Sequence, residues 1–285
     1  MRKTFIKSLA AGVIVALSTL GATSVAVASE STAHKMEHQK WGFTGPFGTY
    51  DQMAVQRGYQ VYREVCSSCH ALEHLSFRHL GEKGGPYYDA ENPNPNDNAA
   101  IKAFAKDWEV PAIDQDSGDA IMRTGIPADK FPPVYDNEIA AAASNGGAVP
   151  PDLSVITKAR TGGPDYIYAL LTSYGHANDD GTYDNPVFPG GVIKMAPPLM
   201  DDLIEYAPVS VTTAGHDGQS HTEMVAAPAT TTEQMARDVT EFLTWAGDPK
   251  MEVRKRVGFA TFLFLFIFAL LLFATYKQVW RNVKH

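Results

Sequence analysis

The sequence is short of cysteine and, over most of its length, short of basic residues. Only two of its 285 residues are cysteine, Cys66 and Cys69, which is too few for a four-cysteine zinc site. No βαβ pattern surrounds them, as a thioredoxin-like redox pair would require. Residues 29–249 carry 14 Lys and Arg against 31 Asp and Glu, a net charge of −17, so this part of the chain would repel the phosphates of nucleic acids.

Both cysteines belong to one motif, Cys66-Ser67-Ser68-Cys69-His70, so neither is left to form a disulfide. The pattern C-x-x-C-H is the attachment signature of a c-type haem. Two thiols at this spacing on a tight turn reach the two vinyl groups of one haem, and the histidine that follows reaches the iron. The motif therefore predicts one covalently attached haem c with His70 as an iron ligand.

A second iron ligand is expected from a methionine in the segment KMAPPLM at 194–200. Its two prolines reduce the entropy that the loop loses when it is held over the iron. Met195 is the predicted ligand, and Met200 is the alternative. His74 and His79 lie too near the attachment point to reach the opposite face of the haem, so both are predicted to be loop histidines.

Arg160 lies between two predicted helices, and two roles are open for it. Its guanidinium group fits bidentate pairing with a haem propionate. A cation at this position would equally complement the dipole at the C-terminal end of the first helix. The sequence pattern by itself does not decide between these roles.

Both ends of the chain carry targeting signals. Residues 1–28 have a basic start, a short apolar run and a final Ala-Val-Ala, which predicts a cleaved signal peptide. Residues 257–276 contain no charge over 20 positions and would span about 30 Å as a helix, which predicts a membrane anchor. We expect 29–249 to be a periplasmic domain, 250–256 a basic linker and 277–285 a cytoplasmic tail, in a single-pass protein of the bacterial inner membrane.

Helical periodicity and capping residues predict five helices before the anchor, at 51–65, 99–108, 153–160, 165–174 and 231–246. Gly58 would weaken the first of these by about 1 kcal/mol relative to alanine, so we expect it to mark a close helix crossing. Thr230 and Glu233 form a predicted capping box for the last. Residues 207–230 are rich in Ser, Thr, Ala and Gly and are expected to form a surface loop or a small hairpin.

Several stretches together resemble the cytochrome c1 family, the haem subunit of the cytochrome bc1 complex. In chain order they are RGYQVYREVCSSCH at 57–70, NGGAVPPDLS at 145–154, KARTGGPDYIYALLTSY at 158–174, MAPPLMDDLIEY at 195–206 and FLTWAGDPKMEVRKRVG at 242–258. The stretches cover most of residues 50–276. The segment 207–230 departs from the family, which usually has a shorter turn there.

The resemblance implies a mainly α protein: a class I cytochrome c fold with long loop insertions and one C-terminal transmembrane helix. It implies that Cys66 and Cys69 hold the haem and that His70 and Met195 are the axial ligands. It favours the propionate role for Arg160. The residues that it places around the haem pocket are Asn145, Pro150, Pro151 and Leu153.

The resemblance also implies a function in quinol-driven respiratory or photosynthetic electron transport. The chain would accept one electron from the Rieske iron–sulfur protein and pass it to a c-type cytochrome. It would be an electron carrier within quinol–cytochrome c reductase and not an enzyme by itself. Expected partners are cytochrome b, the Rieske protein, the acceptor cytochrome and membrane lipid, in a dimeric complex without nucleic acid.

A docking surface for the acceptor is expected next to the Met195 loop. Leu199 and Met200 would form an apolar contact, and Asp201, Asp202 and Glu205 would form an acidic rim. Such a rim would attract a basic partner, although acidic exported domains also occur for solubility alone.

Two other functions stay open at this point. One is a haem enzyme or gas sensor with an open sixth position, which would bind carbon monoxide readily when reduced. The other is a membrane-anchored cytochrome that serves another complex, such as a terminal oxidase. Copurification with a cytochrome b and a Rieske subunit would separate this last function from the expected one.

Overall fold

A computed structural model describes residues 36–207, 209–214 and 220–282, with only the backbone given for the strand residues between 209 and 225. The predicted signal peptide, 1–28, lies outside the described residues. The helices in the described part are α1 (Gln52–Glu64), α2 (Phe77–Gly81), α3 (Ala99–Lys106), α4 (Glu138–Ser144), α5 (Ile156–Ala159), α6 (Pro164–Thr172), α7 (Thr232–Gly247) and α8 (Met251–Trp280). The prediction of a mainly helical protein is confirmed.

The strands form three separate antiparallel pairs. They are β1 (Glu109–Ile113) with β2 (Ala120–Thr124), β3 (Tyr183–Asp184) with β4 (Val192–Ile193), and β5 (Val209–Ala214) with β6 (Ser220–Val225). The registers pair Ala112 with Ile121, Tyr183 with Ile193 and Val211 with Glu223. The last pair is the small hairpin that was one expectation for residues 207–230.

The core is centred on the crossing of α1 and α7. Tyr59 and Tyr62 of α1 place their rings 5.6 and 5.7 Å from the ring of Phe242 in α7, and all three side chains are buried. A Cβ atom at Gly58 would lie 2.0 Å from the Asp238 carbonyl oxygen, so only glycine permits this approach. The expectation that Gly58 marks a close crossing is confirmed.

A buried ion pair accompanies the crossing. Arg57 of α1 donates from Nε and Nη2 to the two carboxylate oxygens of Asp238 in α7, both at 2.8 Å. Gln234 adds a third hydrogen bond to the same carboxylate at 3.1 Å. Because Asp238 is buried, this bidentate pairing compensates the desolvation of its charge, and losing Arg57 would leave an unpaired charge in the core.

The cap of α1 agrees with the sequence, whereas the cap of α7 and the start of α5 differ from it. Asp51 caps α1 by accepting hydrogen bonds from the backbone of Met53 and Ala54, as predicted. Thr231, rather than Thr230, caps α7, since the Thr231 hydroxyl accepts from the backbone of Gln234. The helix predicted at 153–160 begins only at Ile156, because residues 152–154 bond to another segment instead.

The described segment before α1, residues 36–51, contributes to the core although it contains no helix or strand. Trp41 and Phe43 are buried and stack at 5.4 Å. The Trp41 indole donates to the Asp165 carboxylate of α6 at 2.7 Å. This packing holds the beginning of the described chain against α6.

The C-terminal helix α8 contains both the predicted anchor and most of the predicted linker 250–256. It begins at Met251, runs for 30 residues and is long and apolar enough to cross a membrane. The transmembrane prediction is confirmed. Its first turn is fixed to the domain, because the Glu252 carboxylate accepts the Tyr50 backbone N–H at 2.9 Å and Arg254 pairs with Asp248 at 2.6 Å.

Substituting Gly58 with alanine is expected to destabilise the domain by about 3 kcal/mol, because the new methyl group has to displace the backbone of α7. The measurement is thermal and urea unfolding followed by circular dichroism. Gly258→Ala is the matched control, since Gly258 is also helical and a Cβ there meets no atom within 4 Å. Equal stability of the two variants would contradict the prediction.

Candidate functional site

The cysteine motif forms a tight turn at the C-terminal end of α1. Residues Cys66–Ser68 are a 3₁₀ turn, and the backbone N–H groups of Cys69 and His70 both donate to the Cys66 carbonyl, at 3.1 and 2.9 Å. The Ser67 hydroxyl bonds to the Arg63 carbonyl of α1 at 2.7 Å. The turn predicted from the spacing is thus present, and the two thiols form no disulfide with each other.

The imidazole of His70 is oriented by a backbone carbonyl. Its Nδ1 lies 2.8 Å from the oxygen of Pro151, so Nδ1 carries the proton and donates it. Nε2 therefore keeps its lone pair, which is the arrangement that a metal-binding histidine requires. Burial lowers the pKa of His70, while this hydrogen bond and Asp152 act in the opposite direction. The net lowering favours the neutral imidazole, which is the form that binds a metal.

The thiol of Cys66 is not poised for redox chemistry. Burial raises the pKa of Cys66 to about 12, and the neighbouring Cys69 adds to the increase. Reactive redox cysteines have lowered pKa values and electropositive surroundings. The environment therefore argues against the thioredoxin-like alternative and suits a thiol that lies against an apolar group.

A second segment, 145–154, forms hydrogen bonds with the residues that follow His70. The Leu153 backbone donates to the Ala71 carbonyl at 2.9 Å. The Asp152 carboxylate accepts the backbone N–H groups of Glu73 and Ser154, each at 2.8 Å. These bonds hold Pro151 where its carbonyl meets the His70 ring, and they explain why residues 152–154 are not helical.

The Met195 loop is tied to the same segment. The Lys194 ammonium donates to the Gly146 carbonyl at 2.6 Å. Met195 is half-buried, whereas Met200 is 61% exposed. The structure therefore connects three segments that are far apart in sequence: the cysteine turn, residues 145–154 and the Met195 loop.

The other predicted pocket residues differ in their surroundings. Pro150 is half-buried and Leu153 is buried. Asn145 uses both amide hydrogens within its own region, donating to the Ala141 carbonyl at 2.7 Å and the Tyr135 hydroxyl at 3.0 Å. Its side chain therefore closes the end of α4.

Arg160 is exposed at the end of α5, where its Nη1 lies 3.4 Å from the Ala159 carbonyl. Among the described residues it pairs with no carboxylate. The guanidinium group is thus available to an anionic ligand, as a role in binding a propionate would require.

Neither loop histidine is placed as an iron ligand would be. The Nδ1 atom of His79 accepts the Ser76 backbone N–H at 3.0 Å and completes the capping box of α2. His74 is exposed. Both observations agree with the prediction that these are loop histidines.

The residues at this site fit a covalently bound haem. The turn offers two unpaired thiols, and His70 offers an oriented Nε2. Residues 41–283 match the family model for the cytochrome C1 family. The chain belongs to the cytochrome c1 family. Membership implies a covalently bound c-type haem and, with α8, supports a single-pass membrane protein.

Relatives from bacteria and mitochondria agree with the family match. The chain is 38% identical to cytochrome c1 of Rhodospirillum rubrum, over 97% of each protein. It is 39% identical to the mitochondrial cytochrome c1 haem protein of Kluyveromyces lactis, over 93% of this chain and 86% of the relative. It is 41% identical to cytochrome b/c1 of Bradyrhizobium diazoefficiens, over 95% of this chain but only 40% of that longer protein.

Sequence reasoning missed two side chains that assemble the site. The Asp152 carboxylate bridges Glu73 and Ser154. The Lys194 ammonium holds the methionine loop to Gly146. No local pattern reveals either role, because each partner that matters lies tens of residues away in the sequence.

Asp152→Ala is expected to lower the free energy of unfolding by about 1–2 kcal/mol, because two backbone N–H groups lose their acceptor. Urea unfolding followed by far-ultraviolet circular dichroism measures the loss. Asp116→Ala removes an exposed carboxylate from the β1–β2 turn and should change stability by no more than about 0.5 kcal/mol. An Asp152 variant as stable as this control would show that the bridge contributes nothing.

Proposed function

We propose that the chain is the haem-bearing electron-transfer subunit of a cytochrome bc1 complex. It accepts one electron from the Rieske iron–sulfur protein and passes it to a c-type cytochrome, in respiratory or photosynthetic electron transport. The observation that carries the proposal is that hydrogen bonds connect both the His70 ring and the Met195 loop to the segment 145–154. The family match supports the same assignment.

The residues of the site have separate tasks in this function. Cys66 and Cys69 would hold the haem covalently, and His70 and Met195 would bind its iron. When bound, the haem supplies a one-electron couple, whose potential methionine ligation raises. Pro151 keeps the His70 ring in position and fixes its tautomer. Pro150 and Leu153 would line the pocket, and Asn145 would shape its edge.

Arg160 would compensate the negative charge of a propionate. Its exposure and the lack of a carboxylate partner among the described residues leave the guanidinium group available for this role, beside its contact with the Ala159 carbonyl at the end of α5. A fixed cation near the haem would also favour uptake of the electron, because it attracts the added negative charge.

The partners follow from the family and from the two ends of the chain. The relative named cytochrome b/c1 supports cytochrome b as one partner. We place residues 29–249 in the periplasm after removal of 1–28, with 250–256 at the membrane boundary, 257–276 within the bilayer and 277–285 in the cytoplasm. A dimeric complex with Rieske protein and lipid completes the proposal.

The predicted docking surface for the acceptor is wrong for one residue. Leu199 is only 7% exposed and packs in the core, so it does not contribute an apolar contact. Met200 and Leu203 are the exposed apolar residues there. Asp201 accepts hydrogen bonds from the backbone and the hydroxyl of Thr232 at the start of α7, which lower its pKa.

Asp202 and Glu205 are the exposed acids that are best placed to attract a basic acceptor. Asp202 has a positive φ of 59°, a conformation that asparagine also adopts readily. Replacement of these two charges therefore leaves the backbone unstrained.

Met195→Leu is expected to remove the sixth ligand while the haem stays attached. The reduced protein should then bind carbon monoxide, and its potential should fall by on the order of 100 mV, within the roughly 0.8 V range that axial ligands set. Absorption spectra and a redox titration measure both changes. Met200→Leu is the matched control and should behave like the wild type. Carbon monoxide binding by the unmodified protein would instead favour a gas-binding function.

Asp202→Asn combined with Glu205→Gln is expected to slow reduction of a soluble basic c-type cytochrome by roughly 3-fold or more at low ionic strength. Asp116→Asn with Asp119→Asn removes the same charge from the β1–β2 turn and is the matched control. The difference in rate between the two pairs should vanish at about 1 M salt. The Debye length is then only about 3 Å, so these surface charges no longer attract the partner. Equal rates for both pairs at low salt would show that these acidic residues contribute to solubility and not to docking.

A further inference from the structure

The loop that precedes α1 carries an exposed aromatic side chain next to the membrane helix. Phe47 is 73% exposed. Its ring nevertheless contacts the ring of Phe259 edge to face, with the centroids 5.5 Å apart. Phe259 lies two residues inside the charge-free run that starts at Val257, which is about 3 Å along the helix axis. Phe47 therefore reaches the depth at which α8 enters the bilayer.

The loop around Phe47 is a built structure. Its base is closed by a hydrogen bond from the Thr49 backbone to the Gly42 carbonyl at 3.1 Å. The Lys255 ammonium of α8 donates to the carbonyl oxygens of Phe43 and Gly48, at 2.6 and 3.0 Å. Gly48 admits no side chain, since a Cβ would lie 2.1 Å from the Thr44 carbonyl. The hydrogen bonds at the base of the loop and from α8 thus fix the position of Phe47 at the tip.

We propose that residues 44–47 form a second membrane contact, in which Phe47 inserts into the interfacial region of the bilayer beside α8. An aromatic ring that is exposed in the chain alone, yet is continuous with the lipid-facing surface of α8, is covered by lipid when α8 spans the membrane.

Charge at the same level fits a lipid surface. Arg256 is exposed immediately before the charge-free run, where lipid phosphates lie, whereas Arg254 is paired with Asp248. Lys255 is half-buried, because it is used to hold the loop. The boundary thus combines a cation for the headgroups with a phenyl ring for the acyl region just below them.

The consequence is a defined orientation of the domain above the membrane. A single helix leaves a domain able to tilt about its attachment point. Phe47 supplies a second point of contact. The hydrogen bonds of Tyr50 with Glu252 and of Lys255 with the loop connect this contact to the core of the domain. This inference rests on α8 spanning the bilayer and does not depend on the electron-transfer role.

The test places a nitroxide spin label at position 47 through Phe47→Cys, in the full-length chain after haem attachment has consumed the native thiols. The protein is incorporated into nanodiscs of phosphatidylcholine and phosphatidylglycerol. Power saturation then measures collisions of the label with oxygen, which concentrates in lipid, and with a water-soluble nickel chelate. Phe262→Cys, in the exposed apolar surface of α8, is the lipid reference, and Thr49→Cys, in the same loop, is the water reference.

The expected result is a severalfold higher ratio of oxygen to nickel collisions at position 47 than at position 49, approaching the ratio at position 262. A ratio at 47 that equals the ratio at 49 and stays far below the ratio at 262 would overturn the proposal, because Phe47 would then lie in water. Few collisions with both reagents would also overturn it, because a protein surface would cover the ring. An unchanged haem spectrum verifies folding, and Pro46→Cys is the second labelling site if the first variant does not accumulate.

Discussion

The close approach of α1 and α7 at Gly58 is the constraint on which the rest of the structure depends. The absent side chain lets the two backbones meet, and the buried pair of Arg57 with Asp238 fixes how they meet. Both helices lead directly to functional parts. The cysteine turn follows the end of α1, and α8 begins four residues after the end of α7. One crossing thus places the haem-attachment turn relative to the membrane helix.

The site itself is assembled by hydrogen bonds from side chains to backbone carbonyls of neighbouring loops. Pro151 orients His70 through its carbonyl oxygen, and Lys194 holds the methionine loop to a neighbouring carbonyl. Loops with few apolar contacts open more easily than packed helices. This division would suit a covalently bound haem, because the rigid helix pair fixes the turn that would hold it.

Much of the architecture was predictable because its signals are local. The extent of α1, its Asp51 cap and the apolar anchor follow from spacing and composition over fewer than about 25 residues. The helix expected at 153–160 was too long at its start, because Asp152 and Leu153 bond to residues 71–73 and not to their own turn. Leu199 was expected at the surface but is buried. The order of apolar and polar residues in a proline-rich loop does not indicate which side chains face the core.

The haem-attachment motif and the membrane helix can be predicted from the sequence alone, because each consists of contiguous residues whose chemistry needs no distant partner. How these parts are connected follows from the tertiary structure. It showed that Met195 is sheltered while Met200 is exposed, that Asp152 bridges two loops, and that Lys255 binds the Phe47 loop to α8. These outcomes depend on contacts between residues distant in the chain, which no local pattern specifies.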